Sequence, residues 1–349
     1  MKLKTLKSWA KKHHKLYAFL WGMPLYRKAM SCVHNRLKYH NDREGKSAFS
    51  VVARSVDMFL CLWIYGCNYS EYNLYGFSKL SHRERKAYIG ECCRKKYYMK
   101  LNSVEASDCF RNKFHTYQKF ARYYGRTVRT FHIEEGFACF CEIIRACGTA
   151  MVKPVDASGG YGIIRVSDVS EDALRESFDE IAKDSPNGNF IIEEYVEQVP
   201  ELKALHPSSL NTARIITVTD RNETPHILGT LFRIGQGGSV VDNGAASGIL
   251  CALSDNGLIE KAMDKKSKCF YTHHPDTGHP LVGFTIPRWK EAQELAERLA
   301  KTIQGVRYCG WDLALTSAGW IMIEGNEGAE LVGIQIFGGG RKFELEKYL

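Results

Sequence analysis

The stretch CGWDLALTSAGWIMIEGNEG, residues 309–328, decides the fold of this 349-residue chain. It contains two short apolar segments, GWDLAL and WIMIEGN, and the small or polar residues between them suit a tight turn. We therefore predict a β-hairpin. With the turn centred near Ala318, Asp312 lies opposite Glu324, at a Cβ separation of about 5 Å, and Asn326 points to the same face as Glu324.

Two carboxylates and an amide on one face of an apolar hairpin predict a metal site. In an apolar environment these groups would destabilise the fold if they lacked partners. Mg²⁺ takes oxygen ligands, and in proteins it often binds substrate phosphates as well. We therefore expect Asp312, Glu324 and Asn326 to bind Mg²⁺. The alternative is a hairpin whose acids are solvated on its exposed face.

A second motif lies upstream, where a short strand ends in Lys153 and is followed by the loop DASGGYG, residues 156–162. Backbone N–H groups of a glycine-rich loop can surround phosphates, and a lysine on the preceding strand adds positive charge. By itself this motif is weak, because Gly-Gly is a common turn and most lysines are solvated.

Two arginines are predicted on neighbouring strands. In NTARIITV, residues 211–218, alternation places Arg214 on the face opposite Ala213, and Arg233 falls late in the next strand, GTLFRIG. A guanidinium binds phosphate oxygens bidentately and stabilises the charge that develops during phosphoryl transfer. The alternative places each arginine on the solvent side of the sheet.

The order and spacing of these motifs resemble the ATP-grasp superfamily, and more closely its sugar-transfer-associated branch, which is related to α-L-glutamate ligases. The metal triplet matches the family pattern at every position, and the likeness covers nearly everything after residue 105, with a weaker pattern back to residue 65. The resemblance implies an α+β fold, the ATP-grasp fold, in which two α+β subdomains clamp ATP.

The resemblance also implies which residues bind the phosphates of ATP. These would be Lys113, near the start of a helix predicted over 107–125, together with Lys153, Ser158, Gly159 and Gly160. Arg111 or Lys119 could replace Lys113, and a solvated surface lysine is the alternative.

A strand predicted at NFIIEEYV, residues 189–196, would bind the nucleoside in such a fold. The resemblance implies backbone contacts to adenine near Glu194 to Val196 and an acid that holds the ribose. The expected residues of this region are Glu193, Glu194, Tyr195, Val196, either Glu197 or Glu201, and Asn211.

The activity implied by the resemblance is ATP-dependent amide formation. A small-molecule carboxylate is phosphorylated to an acylphosphate, and an amine then displaces phosphate, with Arg214 and Arg233 as catalytic residues. The branch suggests cell-surface polysaccharide assembly and sugar-linked substrates. Two alternatives stay open: a kinase acting on a sugar or other hydroxyl, and a nucleotide-binding accessory protein of a membrane glycan assembly.

Charge is distributed unevenly and indicates a domain boundary. Residues 1–100 contain 21 Lys and Arg against 6 Asp and Glu, whereas the remainder contains 27 against 33. We predict a basic, mainly helical N-terminal region at 1–104 and a catalytic domain at 105–349. Within that domain we expect a nucleotide-clamping subdomain near 148–197 and a metal-binding core near 205–349.

The basic front has three interpretations: a solvated helical subdomain, a surface that binds anionic membranes, or a nucleic-acid site. No nucleic-acid-reading motif accompanies the charge, so nucleic acid is disfavoured. No apolar run is long enough to span a bilayer and no signal peptide is evident, which predicts a cytoplasmic protein, with the inner membrane face as an option.

Twelve cysteines are scattered without paired CxxC spacing, which predicts reduced thiols. The alternation at Cys139, Phe140 and Cys141 predicts a strand with both thiols on one face.

Overall fold

The computed structural model describes residues 48–156, 162–184, 187–238 and 248–349. Two compact units are present: the first holds the described residues 48–97 together with Glu330–Lys347, and the second holds Tyr98–Ala329 with Tyr348–Leu349. The basic segment 1–47 and the loop residues Ser158, Gly159 and Gly160 lie outside the described residues. The predicted boundary between residues 104 and 105 stays a prediction.

The first unit is helical where it is described. Its core contains Met58, Cys61, Tyr72 and Phe77. A capping box begins the helix His82–Arg85, since the Ser81 backbone N–H donates to Glu84 Oε2 at 2.7 Å and the Glu84 N–H donates to Ser81 Oγ at 3.3 Å. The helices are α1 (Ala48–Tyr65), α2 (Tyr69–Leu74), α3 (His82–Arg85), α4 (Glu91–Leu101, which ends in the second unit), α11 (Val332–Gly338) and α12 (Lys342–Leu345).

No described helix is both long and apolar enough to cross a bilayer.

The second unit contains a four-stranded antiparallel sheet in the order β1-β4-β2-β3, with two helices packed on it. The core between them includes Phe131, Phe140, Leu174 and Phe190. The elements are β1 (Val128–His132), α7 (Gly136–Cys147), β2 (Ala150–Pro154), β3 (Ile164–Val166), α8 (Glu171–Asp184) and β4 (Asn189–Glu194).

Helix α7 contradicts the strand predicted for Cys139–Cys141. Twelve successive residues adopt the helix, with Phe140, Cys141 and Ile144 buried at helical spacing. Short alternation inside a longer apolar run therefore misled the prediction, because the helical period emerges only over the full twelve residues.

A seven-stranded antiparallel sheet forms the rest of the second unit, in the order β11-β10-β5-β6-β7-β8-β9. Helix α10 packs on its central strands through Trp289, Ala292, Leu295 and Leu299, an i, i+3 and i+4 pattern. The elements are α9 (Pro200–Lys203), β5 (Thr212–Thr219), β6 (Pro225–Ile234), β7 (Ile249–Leu253), β8 (Ile259–Asp264), β9 (Phe270–Tyr271), α10 (Trp289–Thr302), β10 (Tyr308–Thr316) and β11 (Gly319–Asn326).

The helix predicted over 107–125 is interrupted. Helix α5 (Val104–Ser107) and a 3₁₀ turn precede α6 (Lys113–Phe120), which begins after Asn112. The Asn112 side chain accepts from the backbone N–H of Phe114 at 2.8 Å, so a new N-cap restarts the helix at Lys113.

Candidate functional site

The hairpin of β10 and β11 places Asp312 directly opposite Glu324, as predicted. Thr316 pairs with Gly319, so the centre of the turn lies half a residue before the predicted centre at Ala318. A β-bulge beyond Asp312 leaves Ile323 as an extra residue and restores the predicted pairing. The bulge therefore places the two carboxylates directly opposite each other on neighbouring strands.

Asp312 is 3% exposed and contacts two arginines. Arg214, its register partner on β5, donates to both carboxylate oxygens, with NH2 at 2.8 Å from Oδ2, and Arg233 NH2 lies 3.0 Å from the same oxygen. Burial alone would raise the pKa of Asp312, but the charges of Arg214 and Arg233 lower it below its ordinary value. The carboxylate is therefore held ionised.

Backbone pairing accounts for the position of both arginines. Arg233 on β6 pairs with Thr212, whose Oγ1 accepts from Arg233 NH2 at 2.7 Å. Beside them, Gly310 has no side chain, and a Cβ there would lie 3.3 Å from Arg214 Cδ and 2.5 Å from Ala329 Cβ. The glycine thus gives the Arg214 side chain room to cross β10.

Glu324 differs from Asp312 in having no hydrogen-bond donor on its carboxylate among the described residues. Burial and the charge of Asp312 raise the pKa of Glu324, while Lys113 and Arg214 act to lower it. Nearby, Asn326 Nδ2 is buried without a hydrogen-bond partner among the described residues. The two facing carboxylates and the amide oxygen of Asn326 are the oxygen ligands that Mg²⁺ takes, whereas the unpartnered Nδ2 is a hydrogen-bond donor and does not bind a cation.

The three proposed ligands are not supported by a larger cluster. Across the described residues, no three His, Cys, Asp or Glu side chains converge. Asp312 is also already neutralised by Arg214 and Arg233, so a cation would have to share its oxygens with them.

A second buried cluster centres on Glu193 of β4. Lys153 Nζ lies 3.0 Å from Glu193 Oε1, and Arg126 NH2 lies 2.5 Å from Oε2. Burial alone would raise the pKa of Glu193, but the charges of Arg126 and Lys153 hold it well below its ordinary value. The side chain of Glu193 therefore fixes Lys153 at the end of β2.

Arg126 is the member of this cluster that the sequence analysis missed. Its NH1 donates to the backbone carbonyl of Met322 on β11 at 2.8 Å, so it joins the four-stranded sheet to the hairpin. The preceding Gly125 has φ +57°, and a Cβ there would lie 2.7 Å from Ile321 Cγ2. In the sequence, the signal for a special role of Arg126 was its position directly after Gly125, at the end of the predicted helix.

Lys113, the first residue of α6, lies between the two clusters. Its Nζ donates to the carbonyl of Pro154 at 3.0 Å. Burial lowers the pKa of Lys113, partly offset by the charge of Glu324, and the charge of Lys153 lowers it further. The structure thus brings together Lys113 and Lys153, which were predicted from segments far apart in sequence.

The segment expected to contact adenine continues from β4. The backbone N–H of Glu194 donates to the Thr127 carbonyl at 2.9 Å, and that of Tyr195 donates to the Thr149 carbonyl at 2.9 Å. Val196 is buried. Two backbone donors of the segment are therefore used within the protein.

The two candidate ribose acids differ in their contacts. Glu197 forms an ion pair with Lys203, and both side chains are exposed. Glu201 is exposed on helix α9.

Asn211 lies away from the surface in a polar network. It is fully buried, and its Nδ2 donates to the Leu202 carbonyl at 2.8 Å, while Oδ1 accepts from the Gly235 N–H at 3.4 Å. Its side chain supports the turn that follows Arg233.

Taken together, the described side chains of the two clusters and Lys113 carry more positive than negative charge. Such a balance favours a polyanion such as a nucleotide triphosphate, and buried arginines suit developing phosphoryl charge. The cations are Lys113, Arg126, Lys153, Arg214 and Arg233, and the anions are Glu193, Asp312 and Glu324.

Comparison with solved structures gives distant similarity. Carboxyaminoimidazole ribonucleotide synthase from Aspergillus clavatus is 15% identical, with TM-score 0.42, over 64% of this chain and 46% of that one. D-alanyl-alanine synthetase A from Vibrio cholerae is 14% identical, with TM-score 0.44, over 70% and 62%. Biotin carboxylase from Campylobacter jejuni is 14% identical, with TM-score 0.46, over 71% and 47%.

The chain thus spans about half the length of two of these proteins. No curated protein sequence matches it. A family model described as sugar-transfer associated ATP-grasp matches residues 93–346, which is most of the chain. The prediction of an α+β fold is confirmed. This chain belongs to the sugar-transfer-associated ATP-grasp family.

Proposed function

We propose that this protein is an ATP-dependent carboxylate–amine ligase. The observation that carries the proposal is the buried Asp312, held by Arg214 and Arg233 and facing Glu324 across the hairpin. This arrangement combines a cation site with phosphate-binding arginines, which is what transfer of the γ-phosphoryl group of ATP requires.

In this proposal Asp312, Glu324 and Asn326 would hold Mg²⁺, which when bound would supply positive charge to the phosphates of ATP. Lys113 and Lys153 bind phosphate oxygens, and their half-buried environment strengthens that attraction relative to bulk water. The loop residues Ser158, Gly159 and Gly160 complete the phosphate site.

The nucleoside part of ATP is assigned to the segment that follows β4. Glu193 positions Lys153 rather than touching the base, since its carboxylate is fully paired. Backbone groups near Val196 bind adenine, and either Glu201 or Glu197 binds the ribose. Binding by Glu197 would require its ion pair with Lys203 to break.

The reaction proceeds in two steps. A substrate carboxylate oxygen attacks the γ-phosphorus, the bond to the β-phosphate oxygen breaks, and an acylphosphate and ADP result. An amine nitrogen then attacks the acyl carbon, phosphate leaves, and the nitrogen loses a proton to give the amide. Arg214 and Arg233 stabilise the phosphoryl charge, and positioning with electrostatics supplies the catalysis.

For the substrates, we propose a sugar-linked acid or amine in cell-surface polysaccharide assembly. The family description, sugar-transfer associated, supports this choice. The catalytic residues all fall within the proposed catalytic domain, 105–349.

The test is nucleotide turnover with hydroxylamine as trap. Purified full-length protein is incubated with MgATP and single amino acids or uronic acids, and ADP and hydroxamate are measured. We expect both products with one class of acid. Asp312→Asn should abolish them, whereas Asp255→Asn, a change at an exposed aspartate, should not.

ADP with a phosphorylated sugar and no hydroxamate would show a kinase instead. ATP binding without turnover for any acid or sugar, unchanged by Asp312→Asn, would indicate a nucleotide-binding accessory protein.

A further inference from the structure

Helix α1 of the first unit is apolar on two faces. One face, with Met58, Cys61 and Tyr65, is buried in the core of that unit. The other face carries large side chains that are 42–56% exposed, at i, i+3, i+4, i+7 and i+8 spacing. They are Val56, Phe59, Leu60, Trp63 and Ile64, and we name this set the α1 face.

The α1 face is continuous along two turns of helix. Phe59 and Trp63 lie next to each other, with ring centroids 6.0 Å apart. Clustered large apolar side chains at helical spacing indicate an interaction surface, whereas singly exposed residues do not. Its periodicity is that of helices that lie in the plane of a membrane interface, where Trp and Phe are favoured.

Positive charge lies beside the α1 face. Arg85 of α3 forms a bidentate ion pair with Asp57 of α1, at 2.7 Å and 3.0 Å, so α3 is held against α1. Around α3 the exposed charged side chains are three cations, Lys79, Arg83 and Lys86, and one acid, Glu84.

The chain that leads into α1 adds to this charge. Residues 1–47 contain 12 Lys and Arg and 2 Asp and Glu, and they end directly at Ala48, the first residue of α1. Helix α1 is therefore covalently joined to a strongly basic segment and held by Asp57 against α3, around which exposed cations outnumber exposed acids.

We propose that the α1 face binds the surface of an anionic lipid bilayer. A bilayer offers an apolar layer for Phe59 and Trp63 beneath anionic headgroups for the flanking cations. A second copy of the chain, or the segment 1–47, would instead bring positive charge against positive charge. The proposal goes beyond the ligase activity and does not depend on it.

The test is co-sedimentation of the full-length protein with vesicles. We expect binding to an equal mixture of phosphatidylcholine and phosphatidylglycerol, weak binding to phosphatidylcholine alone, and weaker binding at high salt. The double variant Phe59→Ala/Trp63→Ala should lower the partition coefficient about tenfold or more, because two large apolar side chains no longer insert.

The matched control is Phe343→Ala, which removes an equally exposed aromatic side chain from α12 of the same unit. It should bind like the unmodified protein. Circular dichroism melting of each variant verifies folding, and Ile64→Gln, a single change on the α1 face, provides a second probe if the double variant does not fold.

Equal vesicle binding by the unmodified protein and the α1-face variants would overturn the proposal, as would the absence of binding to the anionic vesicles. A dimer in sedimentation velocity that dissociates on Phe59→Ala/Trp63→Ala would assign the face to a second copy instead.

Discussion

Two buried carboxylates of the second unit each contact two cationic side chains, but their surroundings differ. Glu193 pairs with Lys153 and Arg126, and Arg126 is anchored further by the Met322 carbonyl. Asp312 pairs with Arg214 and Arg233 and faces a second carboxylate, that of Glu324.

This difference separates a carboxylate that positions cationic side chains from a carboxylate that is a candidate metal ligand. Both oxygens of the Glu193 carboxylate are paired within the protein, which suits a fixed joint between the two sheets. At Asp312 the neighbouring Glu324 has a raised pKa, so a further cation would stabilise the hairpin.

The largest effect is expected for Arg126→Ala. It leaves Glu193 buried with one cation and removes the hydrogen bond to the Met322 carbonyl. Loss of one partner from a buried ion pair costs about 3–5 kcal/mol, so the free energy of unfolding should fall by that amount. Urea denaturation measures it.

Arg129→Ala is the matched control, because it removes an exposed arginine from β1 of the same sheet. It should change the free energy of unfolding by less than about 0.5 kcal/mol. A similarly small effect of Arg126→Ala would show that Arg126 does not join the sheets.

A smaller effect is expected for Gly310→Ala. The new Cβ would lie 2.5 Å from Ala329 Cβ and 3.3 Å from Arg214 Cδ, and such overpacking costs about 1–3 kcal/mol. Displacement of Arg214 should also lower ATP turnover. Both losses are measured on the same preparation, by urea denaturation and ADP release.

The second change Ala329→Gly tests the cause, because it removes the nearer of the two contacted atoms. We expect the double variant to recover most of the lost stability. If it is no more stable than Gly310→Ala alone, the steric explanation fails.

The smallest effect concerns the pH dependence of stability. Glu193 has a pKa lowered in the folded state, so its stabilisation is present above the unfolded carboxyl pKa of about 4.3 and is lost as pH falls through the folded pKa. One carboxyl contributes a slope of at most about 1.4 kcal/mol per pH unit.

We therefore expect the stability deficit of Glu193→Gln relative to the unmodified protein to shrink below about pH 4. Urea denaturation across a pH series measures this deficit. The control Glu134→Gln, at an exposed glutamate, should show no stability deficit at any pH. A deficit that stays constant with pH would contradict an ionised Glu193.

Features of the fold that depend on residues close together in the sequence can be predicted from it, whereas features that depend on tertiary contacts cannot. The hairpin and the Asp312–Glu324 pairing follow from local alternation and turn residues, although the pairing arises through a bulge at Ile323 that alternation does not reveal. Helix α7 was not predicted because the alternation of three residues, 139–141, suggested a strand, while the helical pattern requires all twelve residues of the segment.

Arg126 marks the limit for the site itself. An arginine after a glycine is usually solvated, and only the packing of two sheets buries it against Glu193. Likewise, the sequence predicts Asn211 near the nucleotide, but its full hydrogen bonding to Leu202 and Gly235 depends on tertiary contacts.

The most direct test of the central claim is Mn²⁺ binding in the presence of ATP, measured from the electron paramagnetic resonance signal of free Mn²⁺. The claim is that the hairpin carboxylates hold a divalent cation with the nucleotide. We predict that Glu324→Gln weakens Mn²⁺ binding about tenfold or more, whereas Glu260→Gln, at an exposed glutamate of β8, leaves it unchanged. Equal Mn²⁺ affinity for Glu324→Gln and the unmodified protein would contradict the assignment of the hairpin as the metal site.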